Sequence, residues 1–272
     1  MTPTSRYVHG THPEEQRRLA DLNALVNHAS LEALAARPGE RALDVGSGLG
    51  QFARALARVT GERVVAVERS PEQIARAVAL AADAGEEPLV DFRAGDALSL
   101  PLARAEWGSF DLAHARFLLE HVPGPQEVVN AMARAVRAGG RVVLEDDDHE
   151  VLRLWPEPPG VSAVWRAYIR TYDRLGNDPH VGRRLVELLA EAGLEPRRIK
   201  LLPFGACAGE TSFPAYVANL DAVFAGARDA ILATGAISAT AFDDARAALR
   251  AWGQRRDAAF WYSVSWAEAV KP

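Results

Sequence analysis

The sequence predicts an α/β protein built on a doubly wound, mostly parallel sheet with a helical lid. From about residue 40 to residue 150, short apolar runs alternate with amphipathic stretches. This alternation is typical of parallel strands joined by right-handed helical crossovers. The runs are apolar throughout, as in strands that are covered on both faces. Beyond residue 150 the alternation stops and helical segments follow, which predicts a lid.

Seven segments have the pattern of strands, so a seven-stranded sheet is expected. In chain order they are RALDV (41–45), RVVAVE (63–68), LVDFRAGD (89–96), SFDLAHAR (109–116), RVVLED (141–146), RRIKLLPF (197–204) and AAFWYSVSWAEAV (258–270).

The segments between the strands have helical periodicity. In the second helix, Ser70 is a predicted N-cap, Pro71 occupies the first turn and Gly85 ends the helix. The helical segments are GQFARALARV (50–59), SPEQIARAVALAADAG (70–85), PQEVVNAMARAVRAGG (125–140, with its glycines as the stop), SAVWRAYIRTYDRLG (162–176) and VGRRLVELLAEAGL (181–194), together with most of residues 211–256.

Composition limits the possible partners. The 272 residues include 31 Lys and Arg against 36 Asp and Glu, a net charge of −5, whereas nucleic-acid binding usually needs a basic face. The single cysteine, Cys207, excludes an intramolecular disulfide and a thiolate zinc cage, and we expect it to be a small buried residue. No signal segment or membrane-length apolar run is apparent. A cytoplasmic monomer or homodimer is expected.

A glycine-rich turn follows the first strand, in ALDVGSGLGQF. Ligands of open parallel sheets bind beyond the carboxyl ends of the strands, and Gly46, Gly48 and Gly50 allow a sharp turn and a close approach of the backbone to a ligand. A dinucleotide requires G-x-G-x-x-G, but the spacing here is G-x-G-x-G, and the carboxylate of Asp44 would repel a pyrophosphate. The turn therefore disfavours a nicotinamide oxidoreductase and suits a ligand with an ammonium group, such as S-adenosylmethionine.

Acidic residues also end the next two strands. Glu68 closes the second strand, where a carboxylate can accept hydrogen bonds from both ribose hydroxyls. Asp96 closes the third strand, where its carboxylate and the amide of Ala97 could pair with an adenine edge. Each acid alone could be a helix cap or a solvated loop residue, but three acids at three successive strand ends indicate one site.

Together these motifs resemble the class I S-adenosylmethionine-dependent methyltransferases, in particular the small-molecule type related to ubiquinone and menaquinone biosynthesis enzymes. The resemblance covers roughly residues 37–150, through ALDVGSGLG, VVAVERSPEQI, FRAGDALSLPL and FDLAHARFLLEHVPGPQEVVNAMARAVRAGGRVVLED. The opening YVHGTHPEEQRRL is similar to a segment that folds over the cofactor in some of these enzymes. A Rossmann-like methyltransferase fold and S-adenosyl-L-methionine as cofactor are implied.

The resemblance also implies a set of cofactor-binding residues, most of them at the strand ends. Asp44, Gly46, Gly48 and Gln51 are assigned to the methionine end of the cofactor. Glu68 is assigned to its ribose, and Asp96 with Ala97 to its adenine. The set is completed by Tyr7, Arg18, Arg69 and Arg116.

The chain is accordingly divided into a core and its additions. The cofactor-binding core is predicted over residues 37–150, completed by a helix and strand over 181–204 and a final strand over 258–272. The additions are an N-terminal helical cap segment over residues 1–36 and lid helices over 151–180 and 205–257.

His121, in LLEHVPG, is the candidate for a catalytic base. Methyl transfer from a sulfonium is an in-line displacement, and holding donor and acceptor in line supplies much of the acceleration. A base is needed only if the acceptor must lose a proton, which a neutral imidazole can take near pH 7. Alternatively, His121 only fixes the loop through a hydrogen bond.

The acidic segment EDDDHE (145–150) ends the fifth strand and could face the acceptor. Some methyltransferases bind magnesium through carboxylates, but the usual second pair of ligands is not recognisable here. No metal is therefore expected, and a solvated acidic turn is the favoured interpretation.

Aromatic residues are concentrated in the predicted lid. Trp165, Tyr168 and Tyr172 share one helical face, a pattern that is typical of packing but could also line an apolar pocket. The residues predicted to contact the substrate are Phe117, His149, Trp155 and Tyr172.

The chain is thus predicted to methylate oxygen, nitrogen or carbon of a small organic acceptor, in natural-product, other secondary or cofactor metabolism, without a nucleic-acid or membrane partner. The alternative is a cyclase or another non-methylating enzyme on the same fold, because a fold does not determine its chemistry.

Overall fold

The computed structural model describes the backbone of residues 13–272 and, apart from residue 24, the side chains from Asn23 onward. Its strands are β1 (Ala42–Val45), β2 (Val64–Glu68), β3 (Val90–Ala94), β4 (Phe110–Arg116), β5 (Val136–Asp146), β6 (Arg153–Trp155), β7 (Glu195–Pro203), β8 (Ala206–Cys207), β9 (Ala259–Trp261) and β10 (Ser263–Val270). Its α-helices are α1 (Pro13–Leu34), α2 (Gln51–Thr60), α3 (Pro71–Asp83), α4 (Pro125–Ala135), α5 (Val161–Asp173), α6 (Leu185–Glu191), α7 (Phe213–Gly226), α8 (Arg228–Ala233) and α9 (Ala239–Trp252).

Seven of these strands form one sheet in the order β3-β2-β1-β4-β5-β10-β7. Strands β1 to β5 are parallel, whereas β10 runs antiparallel to both of its neighbours. The strand order reverses between β1 and β4, and such a switch point opens a crevice beyond the carboxyl ends of the strands. The predicted doubly wound, mostly parallel, seven-stranded sheet is confirmed.

The first two helices of the core begin as the sequence predicts. At the N-cap of α2, Gly50 adopts the left-handed conformation with a φ of 68°. At the N-cap of α3, the hydroxyl of Ser70 accepts a hydrogen bond of 3.2 Å from the backbone N–H of Gln73, and Pro71 occupies the first turn. Because both helices start just beyond a strand end, their amino ends lie at the crevice.

A second, antiparallel sheet lies outside the main one, in the order β6-β9-β8. With α5, α7, α8 and α9 it forms a layer that we call the cover, residues 151–180 and 205–261. Helix α5 contacts α8 and α9, and α7 contacts α1. The hydrophobic core on the α1 and α2 face of the main sheet continues into this layer, so the cover is packed onto the core.

The final aromatic segment consists of two strands, whereas one was predicted. Ala259–Trp261 pairs within the small sheet and Ser263–Val270 within the main sheet. The chain changes sheets at Tyr262, and no change in hydrophobic pattern marks that position because both strands are apolar and aromatic. Strand β6 likewise was not among the seven predicted strands.

Two further expectations were wrong. Helix α4 ends at Ala135, and the glycines after it belong to β5; a Cβ on Gly140 would lie 3.0 Å from the carbonyl oxygen of Phe110, so this glycine is required by strand packing. Cys207 is exposed, because in the short strand β8 its neighbour Ala206 is the buried one. None of the described helices is long and apolar enough to cross a membrane.

Candidate functional site

A cavity of about 460 Å³ lies in the crevice beyond the strand ends. Part of its lining comes from the turns after β1, β2 and β3 and from the end of β4; we call this part, with lining residues numbered between 23 and 116, the cofactor half. The rest comes from the loops after β4 and β5, from the cover and from residues that flank the cover; this is the acceptor half, with lining residues between 117 and 264.

The glycine turn brings backbone into the cofactor half. Gly46, Gly48 and Gly50 have φ values of 75°, 52° and 68°. A Cβ on Gly46 would lie 3.0 Å from the side chain of Leu118, and one on Gly50 would lie 2.4 Å from the ring of Phe92. Glycine is therefore required at both positions, and a ligand in the cavity can contact the main chain.

Glu68 holds the glycine turn against the start of α3. Its carboxylate accepts hydrogen bonds from the backbone N–H groups of Gly48 at 3.0 Å and of Arg69 and Ser70 at 2.8 Å. A carboxylate offers roughly four lone-pair sites, so a ribose would share or replace some of these bonds. Glu68 thus shapes the turn in addition to facing the cavity.

At the end of β3, as at the end of β2, a carboxylate accepts a hydrogen bond from nearby backbone. A carboxylate oxygen of Asp96 accepts a hydrogen bond of 2.9 Å from the backbone N–H of Leu98, which folds the loop so that Asp96, Ala97 and Leu98 all line the cavity. The predicted acidic residue and amide are therefore adjacent at this end of the cofactor half.

Asp44 is oriented by a buried histidine that sequence reasoning missed. Its Oδ1 lies 2.8 Å from Nδ1 of His114, and Nε2 of the same ring lies 3.4 Å from Oε1 of Glu145. The hydroxyl of Ser30 donates to Glu145 at 2.6 Å. Although burial disfavours the charged ring, hydrogen bonds to the two carboxylates raise the pKa of His114. A buried charge network therefore underlies the cofactor half.

Arg116 connects this network to α1. Its guanidinium donates to Ser30 at 3.0 Å, to Asn23 at 2.6 Å and to Asn27 at 2.7 Å, and it lies 4.7 Å from the ring centre of Phe52. Burial lowers the pKa of the guanidinium. These contacts hold the described part of α1 beside the cofactor half.

Glu120 is the centre of a second buried network, in the acceptor half. One carboxylate oxygen accepts a hydrogen bond from the hydroxyl of Tyr172 and lies 2.9 Å from Nε2 of His149. The other lies 3.3 Å from Nε2 of His121. On the far side of the His149 ring, Nδ1 lies 3.2 Å from the hydroxyl of Tyr262. One carboxylate therefore connects two histidines to two segments that flank the acceptor half.

The charges of this network stabilise each other. Burial would raise the pKa of Glu120, but the neighbouring His121 and His149 lower it to about 2. Burial would lower the pKa of His149, but Glu120 raises it. Burial together with Glu120 also raises the pKa of Tyr172, whose hydroxyl stays a donor. Glu120 and His149 thus form a buried ion pair.

The acidic segment after β5 is more structured than the solvated turn favoured from the sequence. Asp146 is fully buried and accepts backbone hydrogen bonds from the loop after β4; burial and the nearby negative charges raise its pKa. Asp148 lies 2.7 Å from Arg183 in an ion pair. Asp147 and His149 line the cavity, because alternate residues of this segment face opposite sides.

Glu120, Asp147 and His149 could together hold a metal ion, because a ligand atom of each lies within 4.8 Å of the other two. Nε2 of His149 is already within hydrogen-bond distance of Glu120 and of Tyr172. A metal would have to replace those hydrogen bonds.

Most of the predicted site residues line this cavity: Asp44, Gly46, Gly48, Glu68, Arg69, Asp96, Ala97, Arg116, Phe117, His121, His149 and Tyr172. Gln51 is not among the lining residues. Trp155 is 69% exposed on β6, because alternation along the strand turns Leu154 inward and Trp155 outward. Tyr7 lies outside the described residues, and so does the side chain of Arg18.

The residues that sequence reasoning missed come mainly from the cover and its ends. They are apolar or aromatic and carry no motif; the clearest are Phe204, Leu220, Val223, Phe260 and Tyr262. Glu120 directly precedes the candidate base His121, and this adjacency is the one feature of the sequence that indicates a role for Glu120.

Part of this chain is similar in sequence to known proteins. A family model described as a methyltransferase domain matches residues 43–144. The 27-O-demethylrifamycin SV methyltransferase of Amycolatopsis mediterranei is 32% identical over 155 residues, which are 57% of this chain and 54% of that protein. The ubiquinone biosynthesis O-methyltransferase of Xanthomonas axonopodis is 36% identical over 151 residues, 54% of this chain and 59% of that protein. The chain spans about half the length of the curated relatives it matches.

Solved structures share the fold over nearly the whole chain. The cyclase SpnF matches with a TM-score of 0.57 at 23% identity, and the match covers 93% of this chain and 82% of the SpnF chain. The geranyl diphosphate C-methyltransferase of Streptomyces coelicolor matches with a TM-score of 0.56 at 18% identity. It was crystallised with Mg²⁺, geranyl diphosphate and S-adenosyl-L-homocysteine, and the match covers 99% of this chain and 89% of that chain. At these identities the likeness concerns the fold alone.

The seven-stranded fold is that of the solved methyltransferase structures. Residues 43–144 of this chain match the methyltransferase domain, and named relatives that it resembles in sequence are methyltransferases. The resemblance inferred from the glycine turn and the acidic strand ends is confirmed, and S-adenosylmethionine is the cofactor of the family.

Proposed function

We propose that this chain transfers the methyl group of S-adenosylmethionine to a small organic acceptor. The observation that carries the proposal is the continuity of the cavity: the glycine turn and acidic strand ends of the cofactor half open directly into the acceptor half. In-line transfer requires donor and acceptor in one enclosed space, and their alignment accounts for much of the acceleration.

The cofactor half is proposed to bind the cofactor along the strand ends. Backbone at Gly46 would approach its methionine part, with the carboxylate of Asp44 near the ammonium group. Glu68 would accept hydrogen bonds from the ribose, and Asp96 with Ala97 would contact the adenine. The backbone bonds that already hold Glu68 and Asp96 support this, because they orient both carboxylates before a ligand arrives.

His121 is proposed to accept the proton of the methylated group where that group must lose one. Its Nε2 lies 3.3 Å from Glu120, and the buried carboxylate would stabilise the imidazolium that forms. This pairing supports a base more than the bare loop position did. Where the acceptor is a neutral amine, alignment alone suffices.

The relatives support an acceptor from specialised or cofactor metabolism. The two curated methyltransferases compared above are named for a rifamycin and for ubiquinone biosynthesis. The aromatic lining at Trp165, Tyr168 and Phe260 suits an apolar metabolite of that kind.

The test is incubation with S-adenosyl-L-methionine carrying a deuterated methyl group and a small-molecule extract of the source organism. We expect S-adenosylhomocysteine to form only with extract present, and one metabolite to gain a single labelled methyl group. Gly46→Val should abolish both signals, and Trp155→Ala should preserve them because that side chain lies outside the cavity.

A changed metabolite without S-adenosylhomocysteine would contradict methyl transfer. It would instead support a non-methylating activity such as that of the cyclase, which shares the fold.

A further inference from the structure

His114 lies inside β4, between carboxylates of the two neighbouring strands. In the sheet it is paired with Asp44 of β1 on one side and with Val143 of β5 on the other. Its Nδ1 lies 2.8 Å from Oδ1 of Asp44, and its Nε2 lies 3.4 Å from Oε1 of Glu145, further along β5. The side chain is 1% exposed. The ring therefore bridges the strands beside the switch point, where the crevice opens.

The surroundings of the imidazole require it to be charged. Both ring nitrogens face a carboxylate oxygen, whereas a neutral imidazole has one nitrogen that can only accept a hydrogen bond. That nitrogen would point its lone pair at the lone pairs of an oxygen, so both nitrogens must donate. The ring of Phe52 stacks on the imidazole at a centroid distance of 4.3 Å, which restricts its rotation. Arg116 is the second cation near both acids, so two positive charges face the carboxylates of Asp44 and Glu145.

Asp44 is held differently from the other two acids at the strand ends. Glu68 and Asp96 accept hydrogen bonds from backbone N–H groups, whereas the carboxylate of Asp44 is held by a side chain, that of His114. This contact uses Oδ1, and a carboxylate offers roughly four lone-pair sites. Because Asp44 lines the cavity, it can accept a hydrogen bond from a ligand while His114 orients it.

We propose that His114 is a positioning residue for the cofactor: it holds Asp44 toward the ammonium group of the methionine end and so determines the preference for ligands that carry this end. The inference rests on the proposed binding of S-adenosylmethionine along the strand ends and adds the residue that acts through Asp44. A carboxylate that is already fixed binds an ammonium group more tightly than a mobile one, because less conformational freedom is lost when the ligand binds.

The test compares two ligands that differ in the methionine end. S-adenosylhomocysteine carries the amino-acid end with its ammonium group, whereas 5′-methylthioadenosine has the same adenosine and sulfur but ends in a methyl group. Calorimetry gives the dissociation constant of each ligand, and the ratio of the two constants measures recognition of the methionine end. We expect the wild type to bind S-adenosylhomocysteine at least roughly tenfold more tightly, because hydrogen bonds between charged groups are the stronger ones.

Two substitutions of His114 separate the two contacts of the ring. The amide nitrogen of asparagine can take the position of Nδ1 and that of glutamine the position of Nε2, so His114→Asn keeps a donor for Asp44 and His114→Gln keeps one for Glu145. We expect His114→Gln to weaken S-adenosylhomocysteine binding by roughly tenfold or more and 5′-methylthioadenosine binding by less than about twofold. His114→Asn should stay within about threefold of the wild type for both ligands.

A double variant shows whether His114 acts through Asp44. In Asp44→Asn the acid is absent, so adding His114→Gln should weaken S-adenosylhomocysteine binding by less than about a further twofold, whereas independent contributions would multiply. The matched control is Asp111→Asn. Asp111 lies at the opposite end of β4 and pairs with Arg137 at 2.7 Å, and it does not line the cavity, so the ratio for the two ligands should stay as in the wild type.

If His114→Gln does not fold, it is measured in a Glu145→Gln background. The substitution then leaves the positive charge of Arg116 facing the single carboxylate of Asp44, which keeps the buried charges balanced. The expected selective loss of S-adenosylhomocysteine binding is the same, because the contact between His114 and Asp44 is again the one removed.

Equal losses for both ligands in His114→Gln would overturn the inference, because His114 would then only support the fold. So would unchanged affinity for S-adenosylhomocysteine in that variant, equal losses in His114→Asn and His114→Gln, or a wild type that binds both ligands equally well. The wild type is measured first: if S-adenosylhomocysteine does not bind, the proposed methyl transfer is refuted, whereas binding that does not depend on His114 refutes only the positioning role.

Discussion

The two halves of the cavity are built in different ways. In the cofactor half, Glu68 and Asp96 each bind backbone N–H groups one or two residues away, and the glycine turn is shaped by its own dihedral angles. In the acceptor half, Glu120 binds side chains 29 and 52 residues away, and His149 binds Tyr262 at a separation of 113. The strand-end turns of the cofactor half are organised by backbone hydrogen bonds, with the side-chain network around His114 beneath them, whereas the acceptor half is organised by side-chain charges.

This difference determines how each half should respond to change. A turn held by backbone geometry is sensitive to the size of a side chain and insensitive to pH near neutrality. A buried ion pair is sensitive to pH and to removal of one partner, because the other charge is left without compensation. The following experiments separate the two responses, beginning with the largest expected effect.

The largest effect is expected at the ion pair of the acceptor half. His149→Gln should destabilise the protein by about 3–5 kcal/mol, because it removes the buried ion-pair partner at 2.9 Å and leaves Glu120 with the more distant His121 alone. Unfolding in denaturant measures this, and the double variant Glu120→Gln, His149→Gln should recover part of the loss.

The loss should also depend on pH in a defined way. The pKa of His149 is raised on folding, so its contribution is complete below its ordinary value of about 6.5 and is lost as pH rises through the raised pKa. The pKa of Glu120 is lowered to about 2, so its contribution is present above the ordinary value of about 4.3 and is lost as pH falls toward 2. A difference in the free energy of unfolding between wild type and variant that does not vary with pH would contradict the ion pair.

His121→Ala tests the chemical role of the same half. If the ring is the base, turnover should fall by roughly a hundredfold or more while affinity for S-adenosylhomocysteine stays near that of the wild type. Near-normal turnover of the variant on its acceptor would leave alignment as the mechanism, and His180→Ala, at a histidine outside the cavity, is the control.

Gly46→Val tests the backbone of the cofactor half. The residue has a φ of 75°, and a Cβ would lie 3.0 Å from Leu118, so strain and lost space should weaken S-adenosylhomocysteine binding by roughly a hundredfold. Gly39→Val is the matched control, because φ there is 83° but nothing lies within 4 Å of a Cβ. Equal effects of both variants on binding, after correction for stability, would contradict a contact between turn and cofactor.

Glu68→Ala should have a smaller effect on the same binding. Loss of hydrogen bonds to a ribose and to the backbone of Gly48 should reduce affinity by about 1–3 kcal/mol. Calorimetry with S-adenosylhomocysteine measures this, and Glu72→Ala, at an acid of α3 that does not line the cavity, should bind as the wild type does. Unchanged affinity in Glu68→Ala would remove Glu68 from the cofactor site.

The smallest effect is expected for Trp155→Ala. The side chain is exposed and lies outside the cavity, so acceptor turnover should change by less than about twofold. A large loss of turnover with normal stability would restore Trp155 to the substrate site predicted from the sequence.

The sequence by itself determined the core sheet and the strand-end residues of the cofactor half, but not His114, which orients Asp44. A parallel strand is apolar along its length, a helix repeats every 3.6 residues, and a turn that needs positive φ is marked by glycine, so these features are local. The sequence predicted that Asp44, Glu68 and Asp96 lie together, and they line one cavity because the carboxyl ends of parallel strands meet at one edge of the sheet.

Only the tertiary structure decided the acceptor half. Nothing local distinguishes Tyr262 from the aromatic residues around it, or shows that Glu120 bonds both His149 and Tyr172, because those contacts exist only when the loops after β4 and β5 and the cover come together. The outward orientation of Trp155 also depends on tertiary structure, because it follows from the pairing of β6 in the small sheet. Side-chain networks between distant segments are determined by packing, and sequence periodicity does not indicate which distant residues contact each other.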